Sequence, residues 1–171
     1  RYDGSLGNFS YNVAALGRQI TYDTGTTDED KFGYAVSLSG KYAFRNGDDL
    51  KLQLNHGHLG RYIALQAFRD AAVEADGDLD LLDATGGFIA YRHFWTPKLR
   101  STISYAMSSA DNPGDVSDTN TEEVSNYSVN LFYSPTKKLS FGVELFEAER
   151  ELENGDKGDL RRLQFTGKYV F

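Results

Sequence analysis

The chain has 171 residues, of which only 40% are hydrophobic, and it carries 17 Gly, 11 Tyr and 11 Phe but one Met and three Pro. With a mean hydropathy of −0.50, this composition is poor in core formers and favours an all-β chain over a helical globule. The absence of Cys excludes a disulfide framework, a thiolate metal site and a Cys nucleophile; the net charge of −7 argues against nucleic acid as a partner; and no apolar run approaches the ~20 residues of a spanning helix. Residue 1 is Arg with no signal peptide before it, so the sequence reads as a mature form or a fragment.

Taken in order, the elements alternate with a period of two, which predicts strands. In residues 8–22, Phe9, Tyr11, Val13 and Ala15 share one face and Ser10, Asn12 and Ala14 the other. The parity blurs near Gly17, which suits a bulge. Residues 32–45 are the cleanest. Phe32, Tyr34, Val36, Leu38, Gly40, Tyr42 and Phe44 oppose Gly33, Ala35, Ser37, Ser39, Lys41, Ala43 and Arg45. Aromatics at both ends with aliphatics between them are the layout of two girdles around a lipid-facing band. Asn46-Gly47-Asp48-Asp49 predicts a tight turn.

In residues 50–55, Leu50, Leu52 and Leu54 oppose Lys51, Gln53 and Asn55. The connection at 56–80 repeats Ile63, Ala67, Phe68, Ala71, Ala72 and Ala75 at helical spacing, which predicts a short helix over 61–75. In residues 81–95, Ile89, Tyr91, His93 and Trp95 oppose Phe88, Ala90, Arg92 and Phe94. Arg92 chooses the inward face, because arginine facing lipid at mid-bilayer costs about 2–4 kcal/mol.

Residues 99–108, 126–133 and 139–146 alternate in the same way, separated by Thr96-Pro97-Lys98, an acidic loop at 109–123, and Ser134-Pro135-Thr136-Lys137-Lys138. After a polar stretch at 151–159, Leu163, Phe165, Gly167, Tyr169 and Phe171 oppose Arg162, Gln164, Thr166, Lys168 and Val170.

These eight segments predict an all-β fold: a transmembrane antiparallel up-and-down β-barrel in the bacterial outer membrane. The connections alternate long and short, as when short turns face the periplasm and long loops the exterior. Of 25 acidic residues, 21 lie in or beside the four long connections. Such loops suit divalent cations that bridge lipopolysaccharide; the plainer account is that they solubilise the outer surface.

The chain resembles the C-terminal half of trimeric Gram-negative porins, most closely the DcaP-like porins. The resemblance rests on Arg1-Tyr2-Asp3-Gly4 leading into residues 9–16, on Leu59-Gly60-Arg61-Tyr62, and on Tyr91-Arg92-His93-Phe94-Trp95-Thr96. It continues through Leu139-Ser140-Phe141-Gly142-Val143-Glu144 and Arg150-Glu151 to Arg162-Leu163-Gln164-Phe165. It implies a sixteen-stranded trimer, with dicarboxylates as candidate solutes. It also implies that the terminal aromatic face, Phe165, Tyr169 and Phe171, is read by the barrel-assembly machinery. The chain is then either half of such a barrel or a smaller relative, and eight strands alone enclose little more than packed side chains.

The candidate site is the inward basic set. Parity places Lys41, Arg45, Lys51, Arg92, Arg100 and Lys168 inward near the short turns, and Arg61, Arg150 and Arg162 near the long loops. Glu144 is the one clearly inward mid-strand acid. A basic lining raises the local anion concentration, and arginine binds carboxylates with a two-pronged fork. The expectation is a passive channel for small hydrophilic solutes that favours anions, with no cofactor and no enzymatic activity. The competing account has these cations avoiding lipid and pairing with loop acids or Glu144. A plugged barrel acting structurally or in adhesion through its acidic loops is the alternative function. An outer-membrane enzyme acting on lipids needs a Ser/His/Asp set at the rim that the sequence does not assemble.

Two patterns point weakly to metals. His56 and His58 share a face but lack a third ligand. Asp76, Asp78 and Asp80 resemble a calcium loop but put Leu81 where Gly is required.

Overall fold

The computed structural model describes residues 1–25, 28–74, 77–113 and 117–171. Its strands are β1 (Tyr2–Leu6), β2 (Phe9–Asp23), β3 (Asp28–Ala43), β4 (Asp49–Gly57), β5 (Ala71–Val73), β6 (Leu79–Leu81), β7 (Asp83–Thr96), β8 (Leu99–Asp111), β9 (Thr121–Tyr133), β10 (Leu139–Leu152) and β11 (Lys157–Tyr169). Nine form one antiparallel sheet in the order β1-β2-β3-β4-β7-β8-β9-β10-β11, and β5 and β6 pair as a separate hairpin.

The described residues therefore form eleven strands rather than the eight expected from alternation. All eight expected segments are present as long strands. The additional β1 runs antiparallel to β2 through a turn in which Gly7 takes φ 60°. Its Tyr2, Gly4 and Leu6 alternate with Asp3 and Ser5 and align with Val13, Tyr11 and Phe9 on the outward face, but over five residues with glycine at the centre the alternation is a weak signal. The hairpin β5–β6 lies inside the segment whose spacing predicts a helix. There the structure has two 3₁₀ turns, Gly60–Tyr62 and Ala64–Gln66, followed by β5. The helix fails because Ala64, Leu65 and Gln66 are all left-handed, at φ 49°, 53° and 67°. The expected bulge at Gly17 is also absent, since β2 and β3 pair without interruption from Phe9–Tyr42 to Asp23–Asp28.

The sheet is open, not a closed barrel: β1 and β11 each have one neighbour. Closure requires the first and last strands to pair, and here they do not.

Its two faces have opposite chemistry. The register aligns Tyr42, Leu50, Tyr91, Ile103, Val129, Leu145 and Leu163 on the outward face. This face is apolar yet open: Phe32 is 71% and Phe165 75% exposed, whereas inward Ala35 is 4% exposed. A sheet whose greasy side is its bare side is built for a non-aqueous surrounding.

Candidate functional site

The register brings the expected cations together in rows across the inner face. Lys41 pairs directly with Lys51 across β3–β4. The same row runs through Ala90, Ser104, Ser128 and Phe146 to Arg162. Ser104 and Ser128 share a hydroxyl hydrogen bond of 2.9 Å, and the Arg162 guanidinium lies 5.0 Å from the centre of the Phe146 ring. One row nearer the short turns, Arg92 forms an ion pair with Asp49 and sits 5.2 Å from the Phe94 ring. Asn130 in that row donates to Glu144 at 3.2 Å.

The next row places Arg100 between Phe94 and Phe132. Its guanidinium lies 4.9 Å from the Phe132 ring centre and donates to the Ser134 hydroxyl at 3.4 Å. Phe132 lies across Gly142, where any side chain would collide with the ring. Cation–π contacts of this exposed kind are worth about 0.5–1 kcal/mol each. Their structural effect is to hold a charged fork upright without a carboxylate. Lys168 stands opposite Ser140. Arg45 lies in the turn beyond the end of β3, so strand parity does not extend to it.

Two further acids face inward beside Glu144: Asp3, which accepts from Asn12 and pairs with Arg1, and Asp49. Asp49 shares parity with Lys51 and was legible from that alone. Among the described residues no carboxylate lies within ion-pair distance of Lys41, Lys51, Arg100, Arg150, Arg162 or Lys168.

At the long-connection end, residues 58–74 and 77–82 fold over the inner face. Ile63 reaches Gly86, and Phe68 packs on Ala84 and Ala110, with Ile63, Ala64 and Val124 around them. All these wall residues have inward parity. Arg18 of β2 crosses to Asp70 at 2.8 Å and donates to the His58 carbonyl at 2.7 Å. Lys31 of β3 reaches Asp78 at 3.0 Å. Burial works against ionisation of Asp70. Hydrogen bonds from Arg18 and the Arg61 amide, with the charges of both arginines, outweigh it and hold the carboxyl below its ordinary range. The hydrogen bond from Lys31 does the same for Asp78.

Arg61 and Arg150, expected to be neighbours, line one cavity of about 300 Å³ between the connection and β9–β10, while Arg162 lies outside it. Arg69 is its third cation. Alternation cannot find Arg69, because a helical assignment gives it no strand face, or Arg18, because parity blurs at Gly17. Arg150 donates to the Thr121 hydroxyl at 2.8 Å. Three consecutive left-handed non-glycine residues nearby cost about 1–2 kcal/mol each, so the turn Ala64–Gln66 is held there by its surroundings.

The outward face carries an aromatic chain at the short-turn end. Ring centres run Tyr42–Phe44 at 4.9 Å, Phe44–Tyr91 at 6.0 Å, Tyr91–His93 at 6.4 Å and His93–Trp95 at 4.5 Å. Behind it Asp48, 1% exposed, accepts from the Tyr91 hydroxyl at 2.6 Å, His93 Nδ1 and Asn46 at 2.8 Å, and the Phe94 amide at 2.9 Å. The Tyr91 bond, then that of His93, pushes its carboxyl well below the usual range. Phe165 and Tyr169 stand on the outward face of β11, and the Tyr169 and Phe171 rings meet edge-on at 5.2 Å.

His56 and His58 do not converge. His56 bonds Thr85 at 2.9 Å, whereas His58 accepts from the Tyr34 amide and lies 3.6 Å from Asp83. In the calcium-like pattern, Asp76 lies outside the described residues.

An antiparallel sheet with an aromatic-edged apolar exterior and a hydrophilic, cationic interior defines the wall of a membrane β-structure of the outer-membrane type. The chain belongs to the DcaP outer membrane protein family, whose pattern matches residues 13–171. Its fold is similar to the crystal structure of the outer membrane channel DcaP of Acinetobacter baumannii, with a TM-score of 0.87 at 20% sequence identity. The match covers 96% of this chain and 48% of that one, so the chain spans about half the length of the channel it resembles. No curated protein sequence matches it. The protein is placed in the bacterial outer membrane.

Proposed function

We propose that the chain forms half of the wall of a passive diffusion channel for small hydrophilic solutes, and that the channel favours anions such as mono- and dicarboxylates. The observation that carries this reading is the inner wall itself. Lys41, Lys51, Arg100, Arg162 and Lys168 project from it with no carboxylate in ion-pair range among the described residues. A plugged barrel needs acids to match its buried cations, and the inner strands offer only Asp3, paired with Arg1, Asp49, spent on Arg92, and Glu144 among the described mid-sheet positions. An uncompensated positive lining lowers the barrier for anions.

The two open edges fit a half wall. Unpaired edge groups are costly in hydrocarbon, so β1 and β11 require further strands. In this reading the short turns face the periplasm and the terminal aromatics Phe165, Tyr169 and Phe171 present the assembly signal to the barrel-assembly machinery. The acidic long connections face lipopolysaccharide, three copies assemble as a trimer, and the protein performs no covalent chemistry. Reversal potentials in planar bilayers under a salt gradient test the charge preference. Anion selectivity at neutral pH is expected, and cation selectivity overturns it.

A further inference from the structure

The outward face is not a uniform apolar band. Across β7–β11 it holds a groove of about 430 Å³ lined by Trp95, Leu99, Leu131, Val143, Leu145 and Leu163. Trp95 stands at the short-turn end of this groove and is held from two sides. Its Nε1 donates to Ser101 Oγ at 2.8 Å, and the His93 ring meets it edge-on at 4.5 Å. The side chain is nevertheless 61% exposed. A tryptophan with its N–H satisfied and its ring bare marks the level where hydrocarbon gives way to headgroups.

Two turns lie just beyond that level, and they are built alike. Thr96 Oγ1 accepts from the amides of Lys98 at 3.2 Å and Leu99 at 3.0 Å, and Thr136 Oγ1 from those of Lys138 at 3.3 Å and Leu139 at 3.2 Å. The Ser134 amide donates to the Lys98 carbonyl at 2.8 Å and joins one turn to the other. Lys98, Lys137 and Lys138 are all exposed. Among the described residues no carboxylate lies within ion-pair distance of them. Residues 94–102 and 132–143 contain no Asp or Glu at all. At the far end of the same outward face the charge reverses: Glu147, Glu149 and Asp159 surround Arg161 beside Tyr127. The short-turn end therefore pairs an apolar groove with free cations whose long stems reach the phosphate level of a bilayer. These are the two halves of a site for one anionic amphiphile.

We propose that this groove and the two lysine turns bind a phospholipid with an anionic headgroup in the periplasmic leaflet. An acyl chain lies along the groove between Trp95 and Leu163, and the phosphate sits among Lys98, Lys137 and Lys138. This rests on the channel reading, with its short turns in the periplasm, and adds to it a chosen lipid. Charge makes the choice. A lysine near the bilayer surface favours an anionic lipid by about fivefold, and the acidic far end of the sheet offers no such gain.

Trp95 is itself the reporter, with Trp95→Phe subtracting the emission of any other tryptophan. The assembled outer-membrane protein is placed in phosphatidylcholine vesicles that contain increasing amounts of dibrominated phosphatidylglycerol or, for comparison, dibrominated phosphatidylcholine. Bromine quenches the indole it touches. Half-quenching is expected at a several-fold lower mole fraction of the phosphatidylglycerol. Lys98→Gln should raise that fraction about fivefold, and Lys98→Gln combined with Lys138→Gln should bring the two lipids together. Lys98→Arg should keep the preference, and Arg161→Gln, at the far end, should leave it unchanged. Salt gives a second measurement that needs no variant to fold: at 1 M, where charges are screened beyond about 3 Å, the wild-type preference should shrink. Equal quenching by the two lipids in the wild type, or a preference that outlasts the double substitution or 1 M salt, overturns the site. The readout requires no current. Conduction without a lipid preference removes the site and leaves the channel, and a preference in a protein that is silent in planar bilayers does the reverse.

Discussion

Across β2–β4 and β7–β8, as far as Val124 of β9, the inner face is roofed by residues 58–74 and 77–82; over the rest of β9–β11 it is bare. The buried apolar side chains among the described residues all belong to the first region. Leu59, Phe68, Ala72, Leu79 and Leu82 come from the roof, and Ala35, Ala84 and Ala110 from the wall beneath it. β11 is exposed along its whole length. The wall anticipates the difference. Under the roof its inward positions are small, Gly33, Ala35, Ala84, Gly86 and Ala110, and admit another layer. Across the bare region they include Ser128, Asn130, Glu144 and Gln164; Ser128 bonds Ser104 of neighbouring β8, and Asn130 bonds Glu144. One sheet thus carries a packed core over part of its inner face and a hydrophilic surface over the rest, and what separates them is side-chain volume along the inward stripe.

The largest effect should come from emptying the roof. Phe68→Ala removes a side chain that is 3% exposed, and a core truncation of this kind costs about 3–5 kcal/mol. Limited proteolysis should then cut within 58–82 while β9–β11 stay protected. Equal loss of protection in both regions would erase the comparison.

Acid should act next, and also on the roof alone. The Asp70 carboxyl is held below its ordinary value. A group with a depressed folded pKa contributes fully above its unfolded value, about 3.9 for Asp, and its contribution is lost as pH falls through the folded value. Hydrogen-exchange protection of 58–82 should therefore be flat from neutral pH down to about 4 and fall only below it. Asp70→Asn should lower protection at neutral pH by the worth of hydrogen bonds to a charged group, about 1.5–3 kcal/mol.

The bare region should respond in permeation rather than in stability. Arg100→Gln and Arg162→Gln remove cations whose supports are Phe132 and Phe146. Each should reduce the anion-to-cation permeability ratio measured from reversal potentials, with melting changed by no more than the ~0.5–1 kcal/mol of an exposed cation–π contact. Glu144→Gln should move the ratio the other way by a smaller amount, because Asn130 can still hydrogen-bond the new amide.

Much of this was legible from the chain. The eight long strands, the parity of Arg92, Arg100 and Arg162, and the outward aromatic ends follow from a period of two. Three features were not. β1 is five residues with glycine at the centre of its Tyr2–Leu6 stripe, too short a pattern to stand out until its pairing with β2 reveals it. Residues 61–75 have the spacing of a helix, yet the left-handed turn at Ala64–Gln66 and the hairpin β5–β6 replace it. Arg18 was lost because parity blurs around Gly17, although the register runs straight through it.

The amino-acid sequence by itself determined the two-faced sheet, its apolar exterior and its basic interior, because alternation assigns each side chain to a face without reference to distant residues. Only the tertiary structure decided that the sheet is open, that residues 58–74 turn inward, and which cations keep a partner. Those outcomes depend on contacts between residues far apart in the chain, such as Arg18 with Asp70 and Phe68 with Ala110, which no local period encodes.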